Sequence, residues 1–443
     1  MRRARSTLTL LLAALAGGAL GCAAVAELFR EPEDAVVPFT RPDPLYEELV
    51  PHYAELCAVS QYRPLQGRLG GSPGHAVMYL KGACKDESAP YPRLRRCRRA
   101  SVDIADPEHG AGVSVNRYFQ NVNWVATPGK YFFYSGDVRT YEPLDRARFD
   151  ATVDRAIALG MYEGVRFHPL RDGQETPELR ELVEVESIGT DFALRFGRTL
   201  FCARLPLHPE MLDGAIAFLN DLNEEYYTGE ADYEWSGLAD NCVHTLHNAL
   251  AAAGIWKPKT VRATKLRQLY NVAVPANTVV ELALLSNKFP IEDFAKIRGD
   301  PLRWEGLTER DWLPAVPGAL LVAIPVLQIN ELYDPKFRMF SLAGWFSNDT
   351  LKQAQRMMSD GRYLQLDANL RFFYRRYDAI LAGQGARKGA GDEAYRRDHQ
   401  IYLEHITRSQ EGVLKAAQRL VELEQIRDEM RQEFLDDWQA RTR

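Results

Sequence analysis

The placement of six cysteines is the feature that most constrains this chain of 443 residues. The first of them, Cys22, follows an apolar run from Leu8 to Leu20, and three arginines precede that run. A basic start and an apolar run too short to cross a bilayer are typical of a secretory signal. Such a signal leads to compartments in which disulfides form. We therefore expect an exported protein whose cysteines can pair.

The end of the apolar run, Ala19-Leu20-Gly21-Cys22, resembles a bacterial lipoprotein signal. The resemblance implies removal of residues 1–21, attachment of lipid to Cys22, and a place in the bacterial cell envelope. In a cell with two membranes, Ala23 after the cysteine implies the periplasmic face of the outer membrane. The alternative is a plain cleaved signal peptide in which Cys22 is incidental.

Without Cys22 an odd number of cysteines remains, so pairing leaves at least one thiol over. Cys84 and Cys97 flank a polar stretch rich in proline and arginine, which predicts a loop closed by a disulfide between them. Cys57 and Cys202 are either a second pair or two buried thiols. Cys242 is the remaining cysteine.

The composition is that of an ordinary globular protein, with 46% hydrophobic and 26% charged residues. The net charge is −5, whereas a nucleic-acid-binding protein shows a basic stripe, so we expect no nucleic-acid partner. The sequence contains no glycine-rich phosphate loop and no metalloprotease motif, and we predict no cofactor.

Hydrophobic patterns predict a mixed helix-and-strand region followed by helices. Within the mixed region we expect strands over Gly112–Val125 and Tyr131–Tyr134 and a helix over Pro209–Glu225. The expected divisions are a signal peptide (1–21), a linker with a helix near Pro44–Val59 (22–64), an α+β domain (65–290), a helical accessory region (291–381), a flexible linker (382–391) and a long C-terminal helix (392–443). The long helix carries apolar residues close to one face, among them Val413, Leu420, Met430 and Phe434. This face either packs on the protein's own body or docks a protein partner.

A second helix signal surrounds Cys242. Asp240 or Asn241 is suited to cap the helix, an apolar stripe follows from Val243, and Gly254 is suited to end it. The first turn of a helix carries unsatisfied N–H groups and the positive end of the helix dipole, which favour a thiolate and can hold an oxyanion. Cys242 therefore sits where a nucleophile is expected, with Asp240 and Asn241 as cap and oxyanion-site residues.

A nucleophilic cysteine needs a base, which is usually a histidine. His244 lies about 200° round the helix from Cys242, and His247 lies five residues on, so neither ring turns easily to the sulfur. His75, which follows Gly74 and opens an apolar strand, is the better candidate. Cys242, His244 and His247 could also suggest zinc, but no further ligand cluster is evident and we predict no metal.

Together these two segments resemble a known family. Ser72-Pro-Gly-His-Ala-Val-Met-Tyr79, followed far downstream by Asp240-Asn-Cys-Val-His-Thr-Leu246, looks like the circularly permuted papain-like (NlpC/P60-type) fold over roughly residues 68–260. Within that fold, the two segments resemble the envelope family associated with the Lnb lipoprotein N-acyltransferase. Pro73 stands where that family commonly has phenylalanine.

The resemblance implies an α+β fold in which an antiparallel sheet packs on the helix that bears the cysteine, with an additional C-terminal helical region. It implies Cys242 as nucleophile, His75 as base and a third group that orients the imidazole. Asn116, Asn121 and Asn123 are candidates for that group, and Asn123 is our choice.

The predicted chemistry is an acyl-enzyme intermediate whose acceptor is an amine or water. The resemblance and the envelope location imply acyl transfer or amide hydrolysis on lipid or lipoprotein substrates. A cell-wall cysteine peptidase or amidase, and a non-catalytic lipoprotein on an inactive papain-like scaffold, are the alternatives. The last of these requires Cys242 to be disulfide-bonded or too far from His75.

Overall fold

The predicted α+β class, with an additional C-terminal helical region, is present in the computed structural model. The structure describes residues 44–61, 75–130, 146–169, 178–186, 196–236, 241–255, 275–308, 318–324, 349–383 and 392–442. Within these residues it contains eleven α-helices, a six-stranded antiparallel sheet and a two-stranded hairpin. Among the described helices, none is long and apolar enough to span a membrane.

The strands of the main sheet come from widely separated parts of the chain. They are β1 (Tyr53–Gln61), β2 (His75–Lys81), β5 (Gly110–Val115), β6 (Trp124–Pro128), β7 (Phe196–Pro206) and β8 (Leu320–Ile324), and β3 (Ala83–Lys85) with β4 (Leu94–Arg96) forms the hairpin. The strand order is β6-β5-β2-β1-β7-β8. The two central strands are thus β2 and β1, and β1 pairs with β2 on one side and with β7 on the other.

The helices cover both faces of this sheet. They are α1 (Pro44–Leu49), α2 (Arg146–Ala158), α3 (Leu179–Glu186), α4 (Pro209–Thr228), α5 (Cys242–Ala252), α6 (Pro275–Asn287), α7 (Phe294–Arg298), α8 (Pro301–Thr308), α9 (Asp349–Met357), α10 (Leu366–Gly383) and α11 (Glu393–Thr442). A short 3₁₀ turn, Gly361–Tyr363, lies between α9 and α10.

Strand alternation divides the buried apolar residues into two cores. On β1, Ala54 and Leu56 belong to the first core, which α4, α5 and α6 cover. Tyr53 and Cys57 belong to the second core, which α1, α7, α10 and α11 cover. Because both faces of the sheet are buried, the sequences of its strands are mostly apolar and do not alternate regularly between apolar and polar residues.

Charged groups are buried in the second core and hold α1 on the sheet. We call them the buried ionic cluster, which consists of Glu47, Glu55, Lys81, His109, Lys130 and Arg204. The Glu47 carboxylate lies 2.9 Å from the Lys130 ammonium and 3.1 Å from His109 Nε2. Burial raises the pKa of Glu47, but the charge of Lys130 and the hydrogen bond from His109 outweigh it and hold that pKa well below its usual range.

The expected helix over Pro44–Val59 is wrong in its second half. The helix ends at Leu49, and Tyr53–Gln61 is one of the two central strands of the sheet. Pro51 explains the break, because a proline disfavours the helical conformation of the residue before it. The sheet also takes β8 from the expected helical accessory region (291–381), in which the apolar segment 317–327 favours a buried strand pair or core segment. The sheet therefore extends beyond residues 65 and 290 on both sides.

Other expected elements are present where the sequence predicted them. These include α4, α5 and the long α11. The signal peptide, the lipid-attachment residue Cys22 and the strand considered at Tyr131–Tyr134 lie outside the described residues. Of the expected linker, residues 382 and 383 end α10, and positions 384–391 lie outside the described residues.

Candidate functional site

Two disulfides account for four of the cysteines. The predicted bond between Cys84 and Cys97 is confirmed, and Cys57 is bonded to Cys202, which stands directly opposite it on β7. Cys242 is then the free thiol among the described residues, and it is partly exposed.

Cys242 is the first residue of α5, and the side chain of Asn241 caps this helix. The Asn241 Oδ1 accepts hydrogen bonds from the N–H groups of Val243 at 2.8 Å and His244 at 3.2 Å. The cap therefore uses two amides of the first turn and does not use the N–H of Cys242. Asp240, the other predicted cap and oxyanion-site residue, lies outside the described residues.

Close packing fixes the position of α5. Val243, Leu246 and Leu250 are buried in the first core, and the helix packs on β2, β5 and α4. A Cβ at Gly214 of α4 would lie 2.6 Å from the carbonyl oxygen of Ala252, so only glycine allows α4 to approach the end of α5 this closely. Gly254, with φ of 88°, lets the chain leave the helix.

Asn123 is attached to the first turn of α5. It lies just before β6, not within a strand as expected, and its Oδ1 accepts a hydrogen bond of 2.8 Å from Thr245 Oγ1. Its backbone N–H is held by Asn223 of α4. Thr245 lies three residues after Cys242, so the two share one side of the helix. The Asn123 Nδ2 is buried and has no hydrogen-bond partner among the described residues.

The other two asparagines of this segment shape the connection between β5 and β6. The Asn116 Oδ1 accepts the N–H of Tyr118 at 3.0 Å. Asn121 donates to the carbonyl of Gly164 and accepts the N–H of Arg166. These contacts hold loop backbone, and those of Asn121 tie the connection to residues 164–166.

His75 begins β2 and is buried, with its Nε2 3.2 Å from Ser114 Oγ of β5. It lies at the same end of the sheet as the first turn of α5, because Asn123 and Thr245 meet there. Alternation along β2, however, gives His75 the side of Val77 and Tyr79, whereas Cys242 packs against the first core on the other side. The pairing of His75 with Cys242 therefore stays a prediction.

Ser114 is the contact of His75 that the sequence did not reveal. It stands opposite Val77 in the β2–β5 register, two residues along from His75. The sequence signal for this contact is a small polar residue in an apolar strand. It can be interpreted only when the neighbouring strand and the register are known.

Both helix histidines, His244 and His247, are buried on α5. Among the described residues, the groups of three side chains that could hold a metal ion are Glu55 with Cys57 and Cys202, and Cys84 with Cys97 and Glu108. Each group contains both sulfurs of a disulfide, which cannot act as thiolate ligands.

Comparison of the chain with models of known protein families, with curated proteins and with solved structures finds no match.

Proposed function

We propose that the protein is a cell-envelope thiol enzyme on a permuted papain-like scaffold, which transfers or hydrolyses acyl groups of lipid or lipoprotein substrates. The observation that carries the proposal is the partly exposed Cys242 thiol, left over by two disulfides at the first residue of a capped helix. This is the position in which a helix stabilises a thiolate and the oxyanion that its attack creates.

The proposed reaction has two steps. The Cys242 thiolate attacks the substrate carbonyl, a carbon–sulfur bond forms, and the leaving group departs with a proton supplied by His75. An amine or water then attacks the thioester, gives its proton to His75 and releases the thiolate. An amine acceptor makes the enzyme an acyltransferase, and water makes it a hydrolase.

The described contacts support Cys242 more directly than they support its base. Asn241 orders the first turn, and Thr245 holds Asn123 on the cysteine's side of the helix. His75 begins β2 at the end of the sheet where α5 begins, but on the opposite face, so the proposal requires its imidazole to turn round the start of β2 to meet the thiol. We assign His75 as the base and Asn123 as a residue that positions the site.

Acyl transfer to the protein tests this assignment. Native protein without reductant is incubated with an activated acyl ester, and the acylated residue is mapped by mass spectrometry. We expect one acyl group on Cys242, its loss in Cys242→Ser, and a rate at least about a hundredfold lower in His75→Ala. His244→Ala, on the same helix, is the matched control and should retain the rate.

Alkylation with iodoacetamide separates folding from chemistry, because a folded His75→Ala variant keeps an accessible Cys242. An acylated residue other than Cys242, or an acylation rate unchanged in His75→Ala, would contradict the proposal. Adding a peptide with a free amino terminus to the acyl-enzyme then distinguishes the acceptors, since a transferase produces the acylated peptide faster than it produces free acid.

A further inference from the structure

The end of α11 is exposed on all sides. Leu423 is the last buried residue of this helix among those with a described side chain, and every residue from 425 to 436 is exposed. We call residues 425–436 the exposed segment, which is about 18 Å long. Most of the stability of a helix in a protein comes from the packing of one face, so we expect this segment to gain a contact elsewhere.

Three large apolar side chains lie on one side of the exposed segment. Ile426 is 46% exposed, Met430 65% and Phe434 68%. Each follows the last by four residues, so they fall within about 80° round the helix axis, which we call the apolar arc. Leu423 lies at the same angles and is buried in the second core, so the arc continues a packed face of the helix beyond that core. The sequence has Asp437 next on this side, so the arc ends at Phe434.

The charged residues on the two edges of the apolar arc are sorted by sign. Arg427 and Arg431, the two basic residues of the exposed segment, lie about 60° and 100° from Met430 on one edge. Glu433 and Glu429 lie about 60° and 100° from Met430 on the other edge. The apolar arc therefore has a basic edge and an acidic edge at equal angles.

This arrangement is complementary to a second copy of the same helix. When two parallel helices face each other across their apolar arcs, a two-fold axis between them brings the basic edge of each against the acidic edge of the other. Arg431 of one copy then lies between the levels of Glu429 and Glu433 of the other, about 3 Å along the axis from each. An antiparallel pair would place like edges against each other. Exposed ion pairs add little affinity, but the repulsion of like charges selects the parallel orientation.

The guanidinium of Arg431 is accessible for such a pair. It contacts Asp428 on its own helix at 3.2 Å, and both side chains are 65% exposed. An exposed ion pair of this kind contributes little to stability, so Arg431 can exchange it for a glutamate of a second copy at small cost.

We propose that two copies of this chain associate through their apolar arcs, with the exposed segments parallel and each basic edge against the acidic edge of the other copy. Three apolar side chains in each copy make a small contact, so we expect a weak dimer that forms at concentrations on the order of 100 µM. The proposal goes beyond the proposed function and does not rest on it, and acylation of Cys242 does not bear on it.

Sedimentation equilibrium from about 10 µM to about 1 mM tests the proposal. The chain begins at Ala23, keeps every described element and carries Cys242→Ser, so that this thiol cannot link two copies. We expect a monomer–dimer equilibrium, and Met430→Glu with Phe434→Glu should raise its dissociation constant at least about tenfold, because charges would then lie in the apolar contact. Leu435→Glu is the matched control, since Leu435 is 41% exposed but lies about 140° from Met430.

Charge reversal tests the orientation. Arg427→Glu with Arg431→Glu makes both edges acidic, and Glu429→Arg with Glu433→Arg makes both edges basic. Either double variant alone should raise the dissociation constant at least about threefold, and mixing the two in equal amounts should restore association, because opposite charges then meet on both edges. In an antiparallel dimer like edges already face each other, so neither double variant alone would weaken it.

Several results would overturn the proposal. A monomer at every concentration, or a dimer that Met430→Glu with Phe434→Glu leaves unchanged, would exclude the apolar arc as the contact. A dimer that neither charge reversal weakens would exclude the parallel arrangement. The substituted side chains are all exposed, so the midpoints of urea unfolding should match that of the unaltered chain, which separates loss of association from loss of folding.

Discussion

Replacing Glu47 with glutamine should destabilise the protein by about 3–5 kcal/mol, because it removes one partner from a buried group of charges. Glu47 faces Lys130 at 2.9 Å, Lys81 at 3.4 Å and Arg204 at 3.6 Å. Glutamine keeps the shape and part of the hydrogen bonding, but it leaves Glu55 as the remaining carboxylate of the buried ionic cluster.

The assay is equilibrium unfolding in urea followed by tryptophan fluorescence at neutral pH. Glu48→Gln is the matched control, since the adjacent side chain is exposed and its replacement should change the free energy of unfolding by at most about 0.5 kcal/mol. Equal midpoints for the two variants would refute the reasoning, because Glu47 would then contribute no more than a surface carboxylate.

The pH dependence checks the same argument independently. The pKa of Glu47 in the folded protein is well below its ordinary value of 4.5, because the attraction of Lys130 and the His109 hydrogen bond overcome the effect of burial. The folded state thus binds fewer protons than the unfolded state, and the contribution is full above pH 4.5 and lost as the pH falls through the folded pKa. The stability difference between the native protein and Glu47→Gln should therefore shrink below pH 4.5.

Three further changes test other parts of the fold. Asn223→Ala leaves the buried backbone N–H groups of residues 123 and 124 without their acceptor and should lower the unfolding free energy by about 2–3 kcal/mol, whereas the half-exposed neighbour Glu224→Ala should lower it by less than about 0.5 kcal/mol. Asn241→Ala removes the cap of α5 and should lower the free energy of unfolding, measured by thermal unfolding, by about 1 kcal/mol. Asn241→Asp keeps a capping oxygen and should retain most of this stability. Replacing both Cys57 and Cys202 with alanine should lower the free energy of unfolding in urea by about 4–5 kcal/mol, because their disulfide closes a loop of 145 residues. A decrease below about 1 kcal/mol would contradict the loop-closure argument.

The elements that the sequence predicted well have start and stop residues within their own segment of the chain. α4 begins with Pro209 at its first position and is capped after Thr228 by Gly229, and α5 begins after the capping residue Asn241. These signals are local, so they can be interpreted without knowledge of the rest of the fold. The Cys84–Cys97 bond was predicted for the same reason, since it closes a short polar loop.

The elements that the sequence did not predict depend on which strands are neighbours. β1 is buried on both faces, so its apolar run does not distinguish a strand from a buried helix. Cys57 and Cys202 become partners only because the β1–β7 register sets them opposite each other. The buried ionic cluster gathers residues from 47 to 204, and the position of His75 relative to the thiol depends on strand alternation.

The central position of β1 has a consequence for the order in which the protein can be assembled. A chain that is synthesised from its amino terminus can pair β1 with β2 early, but it must wait for β7 before the other edge of β1 is covered. During that delay Cys57 can meet Cys84 or Cys97 long before Cys202 has emerged. The Cys84–Cys97 bond spans only 13 residues, and short loops close fastest. When this bond forms early, neither Cys84 nor Cys97 is left as a thiol that could pair wrongly with Cys57. The local disulfide thereby leaves Cys57 free to pair with Cys202 once β7 joins the other edge of β1.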